Sequence, residues 1–269
     1  MTLTRTQRAL RRVVKRFIYS QLYLREALYI VLGWSRPFIR FRVEATPPSL
    51  YFNFALTPEA ANSLADELDL PHPLAPIRCI DGEEPFHCLT LNVYRVSGLV
   101  NGLRAEWSLY IREPGSAKPR YLIVEARSDA GSMDPVAIVT RAGEVSHERT
   151  SEGLATEVVC EDGSRFRSLC KHPDEGESVR TADEWVEAND YIYWQNGICD
   201  RTFYDGALAN ARTSRLDAVG VEIDDATRWR QWIDPTPRHV IVFENAIEFA
   251  MSPWWNVDDA PTGSPEGSS

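Results

Sequence analysis

Three polar side chains alternate with apolar ones along a predicted strand in the first half of the chain. Arg104, Glu106 and Ser108 occupy every second position of the segment Leu103–Arg112, and alternate residues of a strand lie on one face of its sheet. A carboxylate buried beside a guanidinium can orient a substrate carboxylate or carbonyl group and transfer a proton. Glu106 is therefore a candidate catalytic acid or base, and Arg104 is a candidate substrate-binding residue.

A second pair of opposite charges follows on the next predicted strand, Tyr121–Ala126. Glu125 and Arg127 are expected to share one face of this strand, opposite Val124 and Ala126. Both are candidate substrate-binding residues. The alternative is that both charge pairs belong to an ion-pair lattice on the outer surface of the sheet, which requires no function.

The loop after that strand contains a further acid. The segment Ser128–Pro135 is rich in small residues and includes Asp134, a candidate catalytic base. An aspartate before a proline is also ordinary turn chemistry. His147 is a lone histidine in a polar stretch and is predicted to face solvent.

No metal ion and no cofactor is expected. The segment Phe86-His87-Cys88 has no partner residues at metal-ligand spacing. The sequence also lacks the motifs G-x-G-x-x-G, G-x-x-x-x-G-K-[ST], G-x-S-x-G and H-E-x-x-H. Nucleotide binding, serine hydrolysis and zinc-dependent proteolysis therefore lack their usual sequence support.

The cysteines indicate free thiols. Their number is odd, their spacing is wide and no C-x-x-C pair occurs, which favours a reducing compartment over a disulfide framework. We therefore expect a cytoplasmic protein. The cysteines are Cys79, Cys88, Cys160, Cys170 and Cys199.

Short apolar and aromatic segments, separated by turn signals about ten residues apart, predict a body that is mostly β with flanking helices, an α+β class. A helix is predicted from Pro58 to Leu68 with Thr57 as its N-cap, and a short helix or twisted connection from Asp224 to Gln231. The predicted strands are Leu50–Leu56, His87–Val96, Leu103–Arg112, Tyr121–Ala126, Val136–Thr140, Ala155–Cys160, Arg165–Cys170, Tyr191–Trp194, Thr202–Tyr204, Ala211–Ile223 and His239–Met251.

Charge divides the chain into a basic arm and an acidic body. Residues 1–45 carry ten Lys or Arg and two acids, a net charge of +8, whereas the remainder carries 19 bases and 37 acids, a net charge of −18. Apolar residues three and four apart predict an amphipathic helix over residues 5–32, within an arm of residues 1–46. This helix could contact an anionic membrane surface, pack on the body or on a second subunit, or serve as a mitochondrial presequence if the source is eukaryotic. Residues 258–269 are predicted to be disordered, which leaves residues 47–257 as one domain.

Composition excludes several classes of protein. Of the 269 residues, 43% are hydrophobic and 25% are charged, values that are typical of globular domains. No uninterrupted apolar segment is long enough to predict a membrane-spanning helix. The net charge of −10 argues against a nucleic-acid partner.

The order of elements after residue 46 resembles that of the acetoacetate decarboxylase-like family. The similarity lies in Leu50-Tyr-Phe-Asn53 with the helix that follows it, in the turn Tyr94-Arg-Val-Ser-Gly-Leu99, in Gly102-Leu-Arg-Ala-Glu106 and in the closing strands. The resemblance implies a closed antiparallel β-barrel that holds a largely apolar pocket, and a homo-oligomer. It also places Glu106 at the position of the family's pocket acid.

The lysines depart from the family's pattern. Members of the family decarboxylate through a lysine that forms a Schiff base, whereas the matching segment here, Arg127–Pro135, contains no lysine. An arginine cannot replace that amine because its guanidinium stays protonated. The only lysines in the chain are Lys15, Lys118 and Lys171.

These observations favour an enzyme that uses acid–base chemistry without a Schiff base. Its substrate would be a small hydrophobic carboxylate or carbonyl compound, and its reaction would be of the lyase, cyclase or dehydratase type. One alternative is a non-catalytic protein that binds a hydrophobic ligand and docks on a membrane or partner through residues 5–32. Another is decarboxylation by an unexpected lysine.

Overall fold

The computed structural model describes residue 24 and residues 41–70, 72–98, 101–112, 119–129, 140–160, 162–172, 177–186, 190–195, 198–206 and 212–253. The predicted helix 5–32, apart from Leu24, and the predicted tail 258–269 lie outside the described residues. Asp134, Lys15 and Lys118 lie outside them too. None of the helices in the described residues is long and apolar enough to span a membrane.

The body consists mainly of strands, as the sequence predicts. The strands are β1 (Phe41–Leu56), β2 (His87–Gly98), β3 (Gly102–Ile111), β4 (Arg120–Ser128), β5 (Thr140–Ala142), β6 (Val145–Arg149), β7 (Leu154–Val159), β8 (Arg165–Lys171), β9 (Asp190–Gln195), β10 (Ile198–Gly206), β11 (Thr213–Ile223), β12 (His239–Phe243) and β13 (Ile247–Pro253).

Strand pairing starts and ends at β1. One edge of β1 pairs with β2, and from there the ladder continues through β3, β4, β9 and β10 to β13. The first part of β1, Phe41–Ala45, pairs in turn with β13, so that seven of the described strands form a circuit. The second part of β1 pairs with β12, and β11, β8, β7 and β6 extend the sheet from there. All of these pairs are antiparallel except β4 with β9; β5 also pairs parallel with β4.

Among the described residues from 41 to 253, two α-helices and one 3-10 helix accompany the strands. Helix α1 (Pro58–Glu67) begins as predicted, because the Thr57 side chain accepts a hydrogen bond from the Ala60 amide at 3.1 Å. It buries Ala61 and Leu64. Helix α2 (Asp183–Val186) is a single turn that the sequence analysis missed, and the predicted element near Asp224–Gln231 is a 3-10 helix over Arg228–Gln231.

Two differences from the predicted strands share one cause. Strand β1 begins before Pro47-Pro48 instead of after it, and the predicted strand His239–Met251 is divided into β12 and β13. Both halves keep one register against β1, with Phe243 opposite Ser49 and Ile247 opposite Ala45. The break therefore falls opposite the two prolines, which have no N–H group to donate to a neighbouring strand.

Both faces of the sheet β1–β4 are buried. One face packs on α1, on β8 and on the 3-10 helix, with the Phe52 and Phe166 rings 5.0 Å apart and the Trp107 and Trp229 rings 6.0 Å apart. The other face packs on α2, where the Trp185 ring meets the Tyr51 ring edge-on at 5.1 Å. An amphipathic strand normally turns its polar side to water, so polar residues on this second face are unusual.

Candidate functional site

A three-by-three block of polar side chains covers the second face of the sheet. Residues that lie directly opposite one another in antiparallel strands share a face, with Cβ atoms about 5 Å apart. The rows of the block, taken across neighbouring strands, are Asn53–Thr90–Ser108, Tyr51–Asn92–Glu106 and Tyr94–Arg104–Ser128. We refer to these nine residues as the polar block.

All nine residues of the polar block are buried. Tyr51 is the most accessible at 7% exposure, Glu106 is 1% exposed and Arg104 is fully buried. The alternative of an ion-pair lattice on an outer surface is therefore wrong for Arg104 and Glu106. Because the burial of polar and charged groups costs free energy, such a block needs internal partners or a ligand.

Glu106 is held by one of its two carboxylate oxygens. The Nε–H group of Arg104 donates to Oε1, and the Tyr94 hydroxyl donates to the same atom at 3.2 Å. Among the described residues, Oε2 accepts no hydrogen bond. The carboxylate is thus fixed in orientation with one oxygen open to another group.

Two tyrosines near Glu106 keep their protons. Burial, followed by the negative charge of Glu106, raises the pKa of Tyr51 above its usual range, although a hydrogen bond with Asn92 opposes the shift. The same two causes raise the pKa of Tyr121. Both phenols therefore stay neutral at physiological pH and act as hydrogen-bond donors.

Aromatic residues border the polar block. Trp185 on α2 donates its indole N–H to the Tyr110 hydroxyl at 2.5 Å, and its ring lies 5.9 Å from that of Phe243. The Phe243 ring in turn lies 4.9 Å from Tyr51. This border gives the block an apolar rim.

A hydrogen-bond chain extends the first row of the block onto β12. His239 lies opposite Asn53 and contacts its amide through Nδ1 at 3.2 Å, while its Nε2 contacts Glu83 at 3.3 Å. The Thr90 hydroxyl donates to Asn53 Oδ1 at 2.8 Å. Burial is the main cause that lowers the pKa of His239.

Glu125 and Arg127 lie on the opposite face, away from the polar block. Glu125 stands opposite Trp107, and Arg127 stands opposite Ala105. The two side chains contact each other at 3.5 Å, and the Trp229 indole N–H donates to Glu125 at 3.2 Å. The sheet therefore separates Arg127 and Glu125 from Glu106, and these candidate residues do not share one face.

A bulge in β4 also corrects the predicted faces of that strand. The register shifts so that Trp107 and Ser108 pair with Glu125 and Ile123. Val124 packs in the same apolar cluster as Trp107 and not on the side away from Glu125. Strict alternation cannot anticipate an inserted residue.

His147 is buried, contrary to the prediction. Its Nε2 lies 2.9 Å from the Pro48 carbonyl oxygen. Since a carbonyl oxygen can only accept a hydrogen bond, Nε2 carries the hydrogen and donates it. The Nδ1 atom lies 3.0 Å from the Thr156 hydroxyl. Burial lowers the pKa of His147.

Lys171 is exposed at the end of β8.

The alternation of polar and apolar residues in the sequence predicted Arg104, Glu106 and Ser108 of the polar block but not the other six residues. The signal was present, since polar residues also alternate with apolar ones around Tyr51 in β1 and around Asn92 in β2. Such alternation is usually a solvent-facing side, and only the tertiary structure shows that this side is buried. Among the described residues, no group of three or more His, Cys, Asp or Glu side chains could hold a metal ion.

Comparison with known proteins identifies the fold. No protein-family model matches the chain, and no curated protein matches it. Among solved structures, acetoacetate decarboxylase from Legionella pneumophila superposes with a TM-score of 0.52 at 10% identity, over 82% of this chain and 88% of that one. The chain has the acetoacetate decarboxylase-like fold. The enduracididine biosynthesis enzyme MppR is similar too, with a TM-score of 0.50 at 8% identity, over 81% of this chain and 86% of that one.

Proposed function

We propose that the chain is a small-molecule enzyme in which Glu106 transfers a proton to and from a carboxylate or carbonyl compound, without a Schiff base. The proposal includes a closed barrel, in which the seven-strand circuit encloses the polar block as the lining of a pocket. The observation that carries it is the buried Glu106 carboxylate, which is held at Oε1 and receives no donor at Oε2 from the described residues. The acetoacetate decarboxylase-like fold supports a small-molecule enzyme, since both similar proteins are named as enzymes.

The bonds to Oε1 prepare Glu106 for proton transfer. Arg104 and Tyr94 orient the carboxylate, so that Oε2 can take a proton from a carbon beside a substrate carbonyl group. The electron pair of the broken C–H bond forms a C=C bond, and the carbonyl oxygen takes up the negative charge. The proton then returns from Oε2 to the product.

Neutral phenols support the same step. Tyr51 and Tyr121 keep their protons because burial and Glu106 raise their pKa values. Phenols that donate hydrogen bonds in a buried site stabilise an oxyanion more than they would in water. The buried guanidinium of Arg104 adds a positive charge beside that oxyanion.

The lysines support chemistry without a Schiff base. Three lysines occur in the whole chain, and none of them lies between residues 41 and 112, the stretch that contributes β1, β2 and β3. Lys171 is exposed at the end of β8. Neither Glu nor Arg can form the imine that the family's lysine forms.

Hydrogen–deuterium exchange at carbon tests the proposal. The full chain is incubated in D₂O with acetoacetate, pyruvate or phenylpyruvate, and proton NMR follows the loss of the hydrogens beside the carbonyl group. We expect protein-dependent exchange with at least one compound, and a decrease of about 100-fold or more in Glu106→Gln, the usual size of a general-base contribution. Tyr94→Phe, which removes one bond to Oε1 but keeps the carboxylate, should cause a smaller decrease.

Controls separate catalysis from loss of structure. Glu157→Gln changes an exposed carboxylate that pairs with Arg165 and Arg167 on β8 and should leave exchange unchanged. Full exchange in a folded Glu106→Gln variant would remove Glu106 from the mechanism, and a mass adduct after borohydride reduction would assign the chemistry to a lysine. No exchange, together with a copurified small molecule in native mass spectrometry, would instead identify a non-catalytic ligand-binding protein.

A further inference from the structure

The middle row of the polar block contains a buried acceptor that lacks a donor. Asn92 is 4% exposed, and its Oδ1 atom has no hydrogen-bond donor within the part of the chain that the structure describes. A buried amide oxygen without a partner is costly, and native proteins rarely keep one without a reason. A bound ligand that donates to this atom is such a reason.

The position of Asn92 links this acceptor to Glu106. Asn92 lies opposite Tyr51 on one side and opposite Glu106 on the other, and directly opposed side chains are within contact distance. A hydrogen bond with Asn92 is one of the causes that set the pKa of Tyr51, and it opposes the rise that burial produces. Two acceptors without a donor from the described residues, Asn92 Oδ1 and Glu106 Oε2, thus belong to directly opposed residues of neighbouring strands.

Neighbouring side chains do not supply the missing donor. Tyr94 and the Arg104 Nε–H group both donate to the other oxygen of Glu106. In the adjacent row, the Thr90 hydroxyl donates to Asn53 Oδ1 at 2.8 Å. A group that carries its own N–H or O–H hydrogens would satisfy both acceptors at once, whereas a carboxylate has no hydrogen to donate to them.

We infer that the substrate carries a hydroxyl or protonated amine that donates to Asn92 Oδ1 and Glu106 Oε2. This inference rests on the proposed function and narrows its substrate class to carbonyl or carboxylate compounds that also bear a hydrogen-bond donor. The aromatic rim of Trp185 and Phe243 places an apolar portion of the ligand beside that donor.

Binding of three matched probes tests the inference without any turnover. Benzylamine, benzyl alcohol and benzoate have the same ring, but only the first two donate hydrogen bonds at neutral pH. Isothermal titration of the full chain should detect benzylamine, benzyl alcohol or both, and benzoate should bind at least 10-fold more weakly. The two donor probes distinguish an amine from a hydroxyl.

Substitution of Asn92 supplies the second part of the test. Asn92→Leu keeps the side-chain size. It should weaken the binding of the two donor probes at least 10-fold, because the accepting oxygen is removed. Its melting temperature should stay within about 4 °C of the unsubstituted chain, since the substitution removes an oxygen without a partner and at most one hydrogen bond, the one with Tyr51. Thr236→Val removes an exposed hydroxyl outside the polar block and should leave probe affinity unchanged.

The outcomes separate this inference from the proposed function. Equal or tighter binding of benzoate, unchanged donor affinity in Asn92→Leu, or no binding of either donor probe up to about 10 mM would each overturn it. A large loss of melting temperature in Asn92→Leu with unaltered probe affinity would assign Asn92 a purely structural role. The proposed function fails on a different result, namely full carbon exchange in Glu106→Gln.

Discussion

Glu106 and Arg104 form an ion pair in a part of the sheet that apolar residues could fill. The removal of two charges from water costs free energy that their attraction does not always repay, and an apolar pair of equal volume is often no less stable. The loss of one partner leaves a buried charge and typically costs about 3–5 kcal/mol. Stability alone therefore does not explain this pair, whereas the proton transfer that we propose would give the buried carboxylate a use.

His147 makes the stability of the protein depend on pH. Burial lowers the pKa of His147 in the folded chain, whereas in the unfolded chain the pKa returns to about 6.5. As the pH falls below about 6.5, the unfolded chain takes up a proton that the folded chain does not bind, so the free energy of unfolding decreases. The decrease continues down to the folded-state pKa, with a slope of at most about 1.4 kcal/mol per pH unit for this one group.

Urea denaturation at several pH values measures this slope. His147→Gln retains an N–H group that can donate to the Pro48 carbonyl, and it should show a smaller loss of stability between pH 7 and pH 5.5 than the unsubstituted chain. His239, whose pKa burial also lowers, accounts for part of the slope that remains. The exposed His172 provides the matched control, because His172→Gln should leave the slope unaltered. Equal slopes for all three chains would contradict the prediction.

Helix α1 is the element whose formation depends most clearly on local sequence. Thr57 accepts a hydrogen bond from Ala60 at 3.1 Å, and the helix buries Leu64 against the sheet. Thr57→Ala removes the cap and should lower the free energy of unfolding by about 1 kcal/mol, within the usual range for N-caps. Urea denaturation should show a lower midpoint with an unchanged slope. Thr57→Ser keeps a hydroxyl and should retain most of the stability, and an equal loss in both variants would show that the cap is not the cause.

Sequence patterns predicted those elements that form through interactions between residues close together in the chain. The cap and the proline at the start of α1 are visible in the sequence, and the alternation in β3 correctly placed Glu106 on the face away from Trp107. The burial of that polar face depends on α2 and on strands far away in sequence. The separation of Glu125 from Glu106 depends on the pairing register of β3 and β4, which no single strand specifies.

At the scale of the whole molecule, one strand joins the two parts of the sheet. The same edge of β1 pairs first with β13, which completes the seven-strand circuit, and then with β12, which leads to β6. The polar block lies on β1–β4, within the circuit. The arrangement of Tyr51, Asn92 and Glu106 in one row therefore depends on the pairing of β1 on both of its edges.

Amide hydrogen exchange tests whether the circuit is closed in solution. Strand β1 pairs with β2 and β13 over Val43–Ala45, so both edges of this short segment have a neighbouring strand although it belongs to the basic arm. Amides that are hydrogen-bonded inside a sheet exchange only when the sheet opens, whereas those at a frayed end exchange freely. We expect Val43–Ala45 to be protected to a degree similar to Leu50–Phe54. Strand β6 (Val145–Arg149), which among the described strands pairs only with β7, should exchange faster at the amides that face away from β7. Rapid exchange over Val43–Ala45 with slow exchange over Leu50–Phe54 would mean that the pairing with β13 is open and that the polar block is accessible from that side.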